Sequence, residues 1–190
     1  MRRSEIRKLY EITTRVNPDT GREERTAVYI GKRYAVNREV IRRRRAGLWL
    51  LLLAAIAAFL TAGLVPATAQ MCLWALLPYA LCLLPLFYGV MGLLKVSRFG
   101  DTIDEIQRQE GLLSLQHAAV GLCVLSALWL AGDVVYGLQL GFDMWDTPDW
   151  CFLAMSAVTL AAGVGLWWTS RGLEMKELPS AQPDAPAQEN

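Results

Sequence analysis

The 190-residue chain has a single histidine, His117, and four cysteines that never form a CxxC pair. One imidazole and scattered thiols do not supply the three or four ligands of a zinc site. The P-loop, the dinucleotide-binding glycine fingerprint, HExxH, GxSxG and the EF-hand loop are also missing. Gly31-Lys32 lacks the upstream glycine and the following Ser/Thr of a phosphate cradle. No two titratable side chains are placed to share a proton transfer, which leaves an enzyme as the least favoured class. No cofactor or metal is expected. The basic first segment contains no nucleic-acid-binding module, so no nucleic-acid partner is expected either.

Charge is scarce wherever the chain is apolar. Hydrophobic residues make up 54% of the sequence and gather in four blocks, at about 46–65, 71–94, 112–137 and 150–169. A soluble domain spreads its apolar residues in short periodic runs. Each block here is long enough to cross a hydrocarbon core about 30 Å thick at about 1.5 Å per residue. The expected fold class is therefore an all-α membrane protein, a bundle of four transmembrane helices preceded by a small β-hairpin.

The distribution of Lys and Arg orients the bundle. Of 19 such residues, fourteen lie within 1–45, three between the second and third spans (Lys95, Arg98, Arg108) and two after the fourth (Arg171, Lys176). The turns 66–70 and 141–149 hold none, and the second carries Asp143, Asp146 and Asp149. The positive-inside rule then puts both termini in the cytoplasm. Short turns fit an antiparallel bundle. Trp49, Trp167 and Trp168 fall near the predicted inner boundary, and Trp74, Trp145 and Trp150 near the outer one, a depth that suits amphipathic rings. The first 45 residues show no apolar core with a cleavage site, so the first span is expected to direct insertion. Size and the lack of organelle signals suggest a prokaryotic plasma membrane.

Three regions follow. Residues 1–36 read as a cytoplasmic module: Tyr10, Ile12, Thr14 and Val16 alternate with polar residues, Asn17 to Gly21 suits a turn, and a second strand covers about 25–30. A short third strand is expected at 34–36. Asn37 is the expected N-cap of a helix running into the first span. Residues 37–170 hold the spans, with a capping-box pattern at Thr102 to Glu105 opening a short helix to Glu110, in which Asp104 can meet Arg108. Residues 171–190 form a tail expected to be disordered, Pro- and Ala-rich from Pro179.

Small residues recur every fourth position in three spans: Ala54, Ala58 and Ala62; Ala119, Cys123, Ala127 and Ala131; Ala157, Ala161 and Gly165. Such stripes are expected to face the bundle interior, where close packing drives association in lipid. Pro78 and Pro85 lie within the second span, seven residues apart and near one face, and are expected to kink it. Asp133 is the acidic residue inside a span. It falls at the interface or in the hydrocarbon depending on where that span begins, and an ionisable group at membrane depth is a functional candidate. Gln116 and His117 sit near the inner end of the third span, placed for a helix-to-helix hydrogen bond or an interfacial one. Cys72 and Cys151 share the outer end and can form a disulfide if their Cα atoms come within about 7 Å. Arg42, Arg43, Arg44 and Arg45 anchor the topology and are candidate contacts for anionic lipid.

These features favour a non-catalytic membrane protein that works through protein contacts or self-association, with membrane lipids as its surroundings. A lone hairpin is marginal in water and needs something to pack on. The alternative is a small transporter or channel subunit using Asp133 and the kinked second span. The topology has a direct test. Single cysteines introduced at positions 68 and 146 are expected to react with an impermeant maleimide added outside intact cells. Reaction only from the cytoplasmic side would invert or abolish the four-span arrangement.

Overall fold

The computed structural model describes residues 10–16, 23–29, 31–35, 38–100, 102–173 and 176–178. The expected turn at 17–21, the Asn37 cap and the tail 179–190 lie outside the described residues. Strands β1 (Tyr10–Val16) and β2 (Glu23–Tyr29) pair antiparallel, with Tyr10 opposite Tyr29 and Val16 opposite Glu23. A second sheet joins three distant segments in the order β4-β3-β5: β3 (Arg33–Ala35), β4 (Thr102–Asp104) and β5 (Lys176–Leu178). β3 thus lies one residue earlier than the alternation suggests, and β4 and β5 have too few residues to show a period.

Four long helical stretches follow one another. α1 is Arg38–Leu64, and the second stretch divides into α2 (Leu73–Leu81) and α3 (Leu83–Val96). The third begins with one turn, α4 (Glu105–Arg108), passes through a π-helical turn at Gln109–Leu113 and continues as α5 (Ser114–Leu140). The last is α6 (Thr147–Arg171). Among the described residues, four helices are long and apolar enough to cross a membrane: Glu39–Leu64, Leu73–Val96, Glu105–Leu140 and Thr147–Arg171. The 36 residues of the third extend about 54 Å, well beyond a hydrocarbon core, so its first turns project from the bundle.

The capping box sits two residues later than the sequence pattern suggests. Asp104, not Thr102, is the N-cap, and its N–H donates to Oε1 of Gln107 at 3.4 Å. Thr102 and Ile103 are instead drawn into β4, where Ile103 and Tyr34 form a small buried cluster against Ile41 and Phe99. Arg108 reaches Glu105, at 3.3 Å, rather than Asp104.

In the bundle α6 packs on both α1 and α5, and α5 packs on α2 and α3, with α3 closing against α1. One aromatic ring from each long stretch meets at the centre. Phe59 stacks on Tyr79 at 4.7 Å between centroids, Tyr79 meets Trp129 edge-on at 4.9 Å, and Trp129 lies 5.1 Å from Phe152. The Tyr79 hydroxyl donates to the Phe59 carbonyl at 3.2 Å. Outside, the bundle is apolar: Leu50, Leu60, Leu64, Trp74 and Trp168 are all exposed, and apolar surface on this scale is rare on soluble monomers.

The small-residue stripes do not all turn inward. Ala58 and Ala62 are buried, but Ala127, Ala131, Ala157 and Ala161 are exposed. The inward face of α5 is Leu115, Ala119, Leu122, Ser126, Trp129 and Asp133, and that of α6 is Phe152, Ser156, Thr159, Ala162 and Leu166. The interior of α5 and α6 takes rings, leucines and hydroxyl side chains besides Ala119 and Ala162, and the stripe alanines at 127, 131, 157 and 161 are left to the outside.

Both prolines of the second stretch are buried. The stretch breaks at Cys82, whose N–H bonds to the carbonyls of Pro78 and Tyr79 at 3.1 and 3.0 Å. Pro78 has no N–H for the Trp74 carbonyl four residues earlier. That carbonyl lies against Gly132 of α5, where a Cβ would sit 2.8 Å from it and 3.1 Å from Ala75 Cα. Backbone cannot retreat as a flexible side chain can. Gly132→Ala is therefore expected to lower stability by about 1–3 kcal/mol, read as a fall in thermal midpoint in micelles. Gly121→Ala is the control: its Cβ would meet Pro85 Cβ at an ordinary 3.5 Å, and it should be neutral or mildly stabilising.

Candidate functional site

Two polar regions stand out against the apolar bundle, one buried near the end with the short turns and one on its flank near the end with the sheet.

Asp133 is 1% exposed on the inward face of α5, and neither carboxylate oxygen has a hydrogen-bond partner among the described residues. One turn earlier on the same face, the indole nitrogen of Trp129 is also buried without a partner. Three buried hydroxyl groups of α5 and α6 are satisfied within their own helices. Ser126 donates to the Leu122 carbonyl at 2.6 Å, Ser156 to Leu153 at 2.7 Å and Thr159 to Met155 at 2.8 Å. Ser156 faces α5, yet its proton goes to its own helix, which leaves Asp133 and Trp129 as an unmatched acceptor and donor on the inward face of α5.

Asp149, by contrast, is fully occupied. It is 2% exposed in the first turn of α6, and one oxygen accepts from Thr68 N–H at 2.7 Å, Thr68 Oγ1 at 2.9 Å and Ala69 N–H at 3.2 Å. These donors belong to the 3₁₀ turn Thr68–Met71, so one carboxylate ties together the two short connections of the bundle. Next to it, Gln70 donates to the carbonyls of Ala62 and Val65, both at 2.8 Å, and closes the end of α1. Sequence reading treated Asp149 as one of three acidic turn residues. Its distinguishing signal is its place in a helical first turn just after Pro148, where a carboxylate faces free N–H groups.

At the sheet end, two other candidates serve a helix terminus. Arg44 Nη1 donates to the Thr169 carbonyl at 3.2 Å, and Gln116 Nε2 donates to the Ser170 carbonyl at 3.4 Å. Both satisfy the last turn of α6, where orphan carbonyls and the helix dipole favour donors and cations. Arg44 is half-buried, whereas Arg42, Arg43 and Arg45 are exposed. Of the four arginines, Arg44 thus has a structural partner of its own. Cys72 and Cys151 are both free thiols, each partly exposed, and no bridge joins them.

Where α4 projects, Arg108 stacks over the Tyr34 ring, 4.6 Å from its centroid, and donates to the phenol oxygen at 2.9 Å. The phenol in turn hydrogen-bonds to Glu105, which holds the tyrosine above its usual pKa, with burial adding to the effect. This cluster joins β3 to the start of the third long helix.

The flank region is a groove of about 590 Å³ between α3 and the start of α5. His117 is exposed on its wall, close to Pro85 and Glu110. Asp133 is not among its lining residues. The chain matches no family model, no curated protein and no solved structure.

The contrast between the two aspartates predicts opposite responses. Asp149→Ala leaves two backbone N–H groups without their acceptor and is expected to cost about 1–3 kcal/mol. Asp133→Val removes a buried carboxyl that gains nothing from its surroundings and is expected to leave stability unchanged or raise it. Thermal unfolding followed by tryptophan fluorescence checks both. A loss at Asp133→Val equal to that at Asp149→Ala would show that Asp133 has a bound partner.

Proposed function

We propose that the chain is a non-catalytic multi-pass protein of a prokaryotic plasma membrane, with both termini in the cytoplasm, acting through contacts as an accessory or assembly subunit or as a homo-oligomer. The observation that supports this reading most is the β1–β2 ribbon. It forms a two-stranded sheet of its own, apart from the three-stranded sheet β4-β3-β5. A ribbon of two strands is at best marginally stable alone, and an added strand or a covering surface supplies what it lacks. The base on which it stands is firm, because β3, β4 and β5 tie the starts and ends of three long helices together.

A second reading, a small transporter subunit, draws on the unpartnered carboxyl of Asp133. It requires proton or ion movement in reconstituted vesicles that Asp133→Asn abolishes.

The contact reading is tested by crosslinking in native membranes followed by purification in mild detergent. The full chain is expected to appear in a defined adduct, either with itself or with one partner. A chain lacking residues 10–29 should still insert but lose that adduct. Recovery of monomer alone across growth conditions would overturn the proposal.

A further inference from the structure

Both irregularities of the bundle face the flank groove. Pro85 stands on one wall just after the break at Cys82, and the π-helical turn Gln109–Leu113 forms part of the other. π-turns inside helices occur often at functional sites. The groove of about 590 Å³ has the size of a small-molecule site. Its end away from the sheet is apolar, lined by Leu84, Pro85, Leu113 and Ala118. Toward the sheet end it becomes polar, at Glu110, Ser114 and His117. Glu110 is ion-paired with Lys95 at 2.8 Å. Beyond Glu110 a second cavity of about 430 Å³ shares that residue with the groove and is lined in addition by Lys95, Arg98 and Thr102. From Leu84 to Lys95 is eleven residues, about 16 Å along the helix, roughly half of a hydrocarbon core.

We infer that this groove binds one anionic glycerophospholipid of the cytoplasmic leaflet, with an acyl chain along Leu84, Pro85 and Leu113 and the phosphate at Lys95 and Arg98. Three arguments select this occupant. The groove runs from an apolar floor to a polar mouth over the depth of one leaflet, which matches a lipid rather than a soluble ligand or a helix. The cavity that adjoins the groove at Glu110 carries two cations, Lys95 and Arg98, against that single carboxylate, so its charge favours an anionic head over a zwitterionic one. Ser114 and Thr102 add hydroxyl donors on either side. The inference uses the proposed orientation to name the leaflet, but it does not depend on the ribbon or on any protein partner.

This site differs from the exposed arginines of α1. Arg42, Arg43 and Arg45 attract anionic lipid as a surface does, without a cavity to hold it. Native mass spectrometry of the purified full chain, equilibrated with phosphatidylglycerol or phosphatidylcholine of identical chains, separates the two. Wild-type protein is expected to retain one phosphatidylglycerol in preference to phosphatidylcholine. Lys95→Gln and Arg98→Gln should each cut retention about fivefold, the equivalent of about 1 kcal/mol per surface charge. Combined Arg42→Gln, Arg43→Gln and Arg45→Gln should leave it unchanged. Ser114→Phe, which fills the groove, should reduce retention of both lipids, and a diazirine placed mid-chain in the lipid should crosslink within 84–88 or 113–118. Equal retention of the two lipids by wild type would overturn the inference. So would crosslinks elsewhere, or loss in the arginine triple variant with Lys95→Gln and Arg98→Gln unaffected.

Discussion

The bundle depends on four aromatic rings that meet where its helices converge. Phe59, Tyr79, Trp129 and Phe152 come one from each long stretch, with neighbouring centroids 4.7–5.7 Å apart. Such pairs contribute about 0.5–1.5 kcal/mol each beyond the area they bury. In an apolar solvent, burying a ring gains little, because lipid chains cover it as well as protein does. The gain lies in geometry: edge-on and stacked contacts, and one hydrogen bond from Tyr79 to the Phe59 backbone, that lipid cannot imitate. Gly63 leaves room for the Tyr79 hydroxyl, and Gly132 lets α2 approach α5 closely enough for Tyr79 to reach Trp129.

This core explains which parts of the fold were legible in the sequence. Length and the absence of charge marked four helices, and their ends fall within a few residues of the apolar blocks, except that Glu39–Leu64 and Glu105–Leu140 each start seven residues early. The extra turns are polar, and hydropathy has no means of telling a projecting helix from a loop. Helix faces were harder. Counting small residues at every fourth position assumes that helices meet backbone to backbone. Here α5 and α6 meet through Trp129, Phe152 and hydroxyl side chains, so Ala127, Ala131, Ala157 and Ala161 turn outward. In a chain whose every face is greasy, periodicity carries no sign for inside and outside.

The candidate site was legible in part. Asp133 announces itself as an acid in an apolar run, but its burial beside an unpartnered Trp129 depends on rotation of α5, which the local sequence does not set. Asp149 is the reverse case. It looked like a turn residue and proves to be the acceptor that joins both connections at its end of the bundle. Gln116 and Arg44 likewise gave no hint that both would serve carbonyls of α6, since those contacts span 54 and 125 residues of chain. The sheet β4-β3-β5 has the same origin. Of its three-residue strands only β3 is foreshadowed locally; β4 and β5 have no local signature and pair with it because the helix ends bring them together.

One rule orders these polar contacts. Three helix ends that leave carbonyls or N–H groups unpaired are met by a side chain from another element: Gln70 for α1, Asp149 for the 3₁₀ turn, Arg44 and Gln116 for α6. Within the bundle, hydroxyl groups bond backward on their own helices and cost nothing in specificity. The polar supply is therefore spent on the ends, and the middle is held by rings. Against that pattern a carboxyl with no donor is costly, and nothing in the architecture requires one at position 133: Gly132 already makes the close approach and Trp129 already fills the core. Asp133 is thus a polar group that the packing around it does not use, and it is this that the transporter reading draws on. The flank groove follows the same logic from outside, since a proline break and a π-turn both weaken a helix wall and both open on the same space.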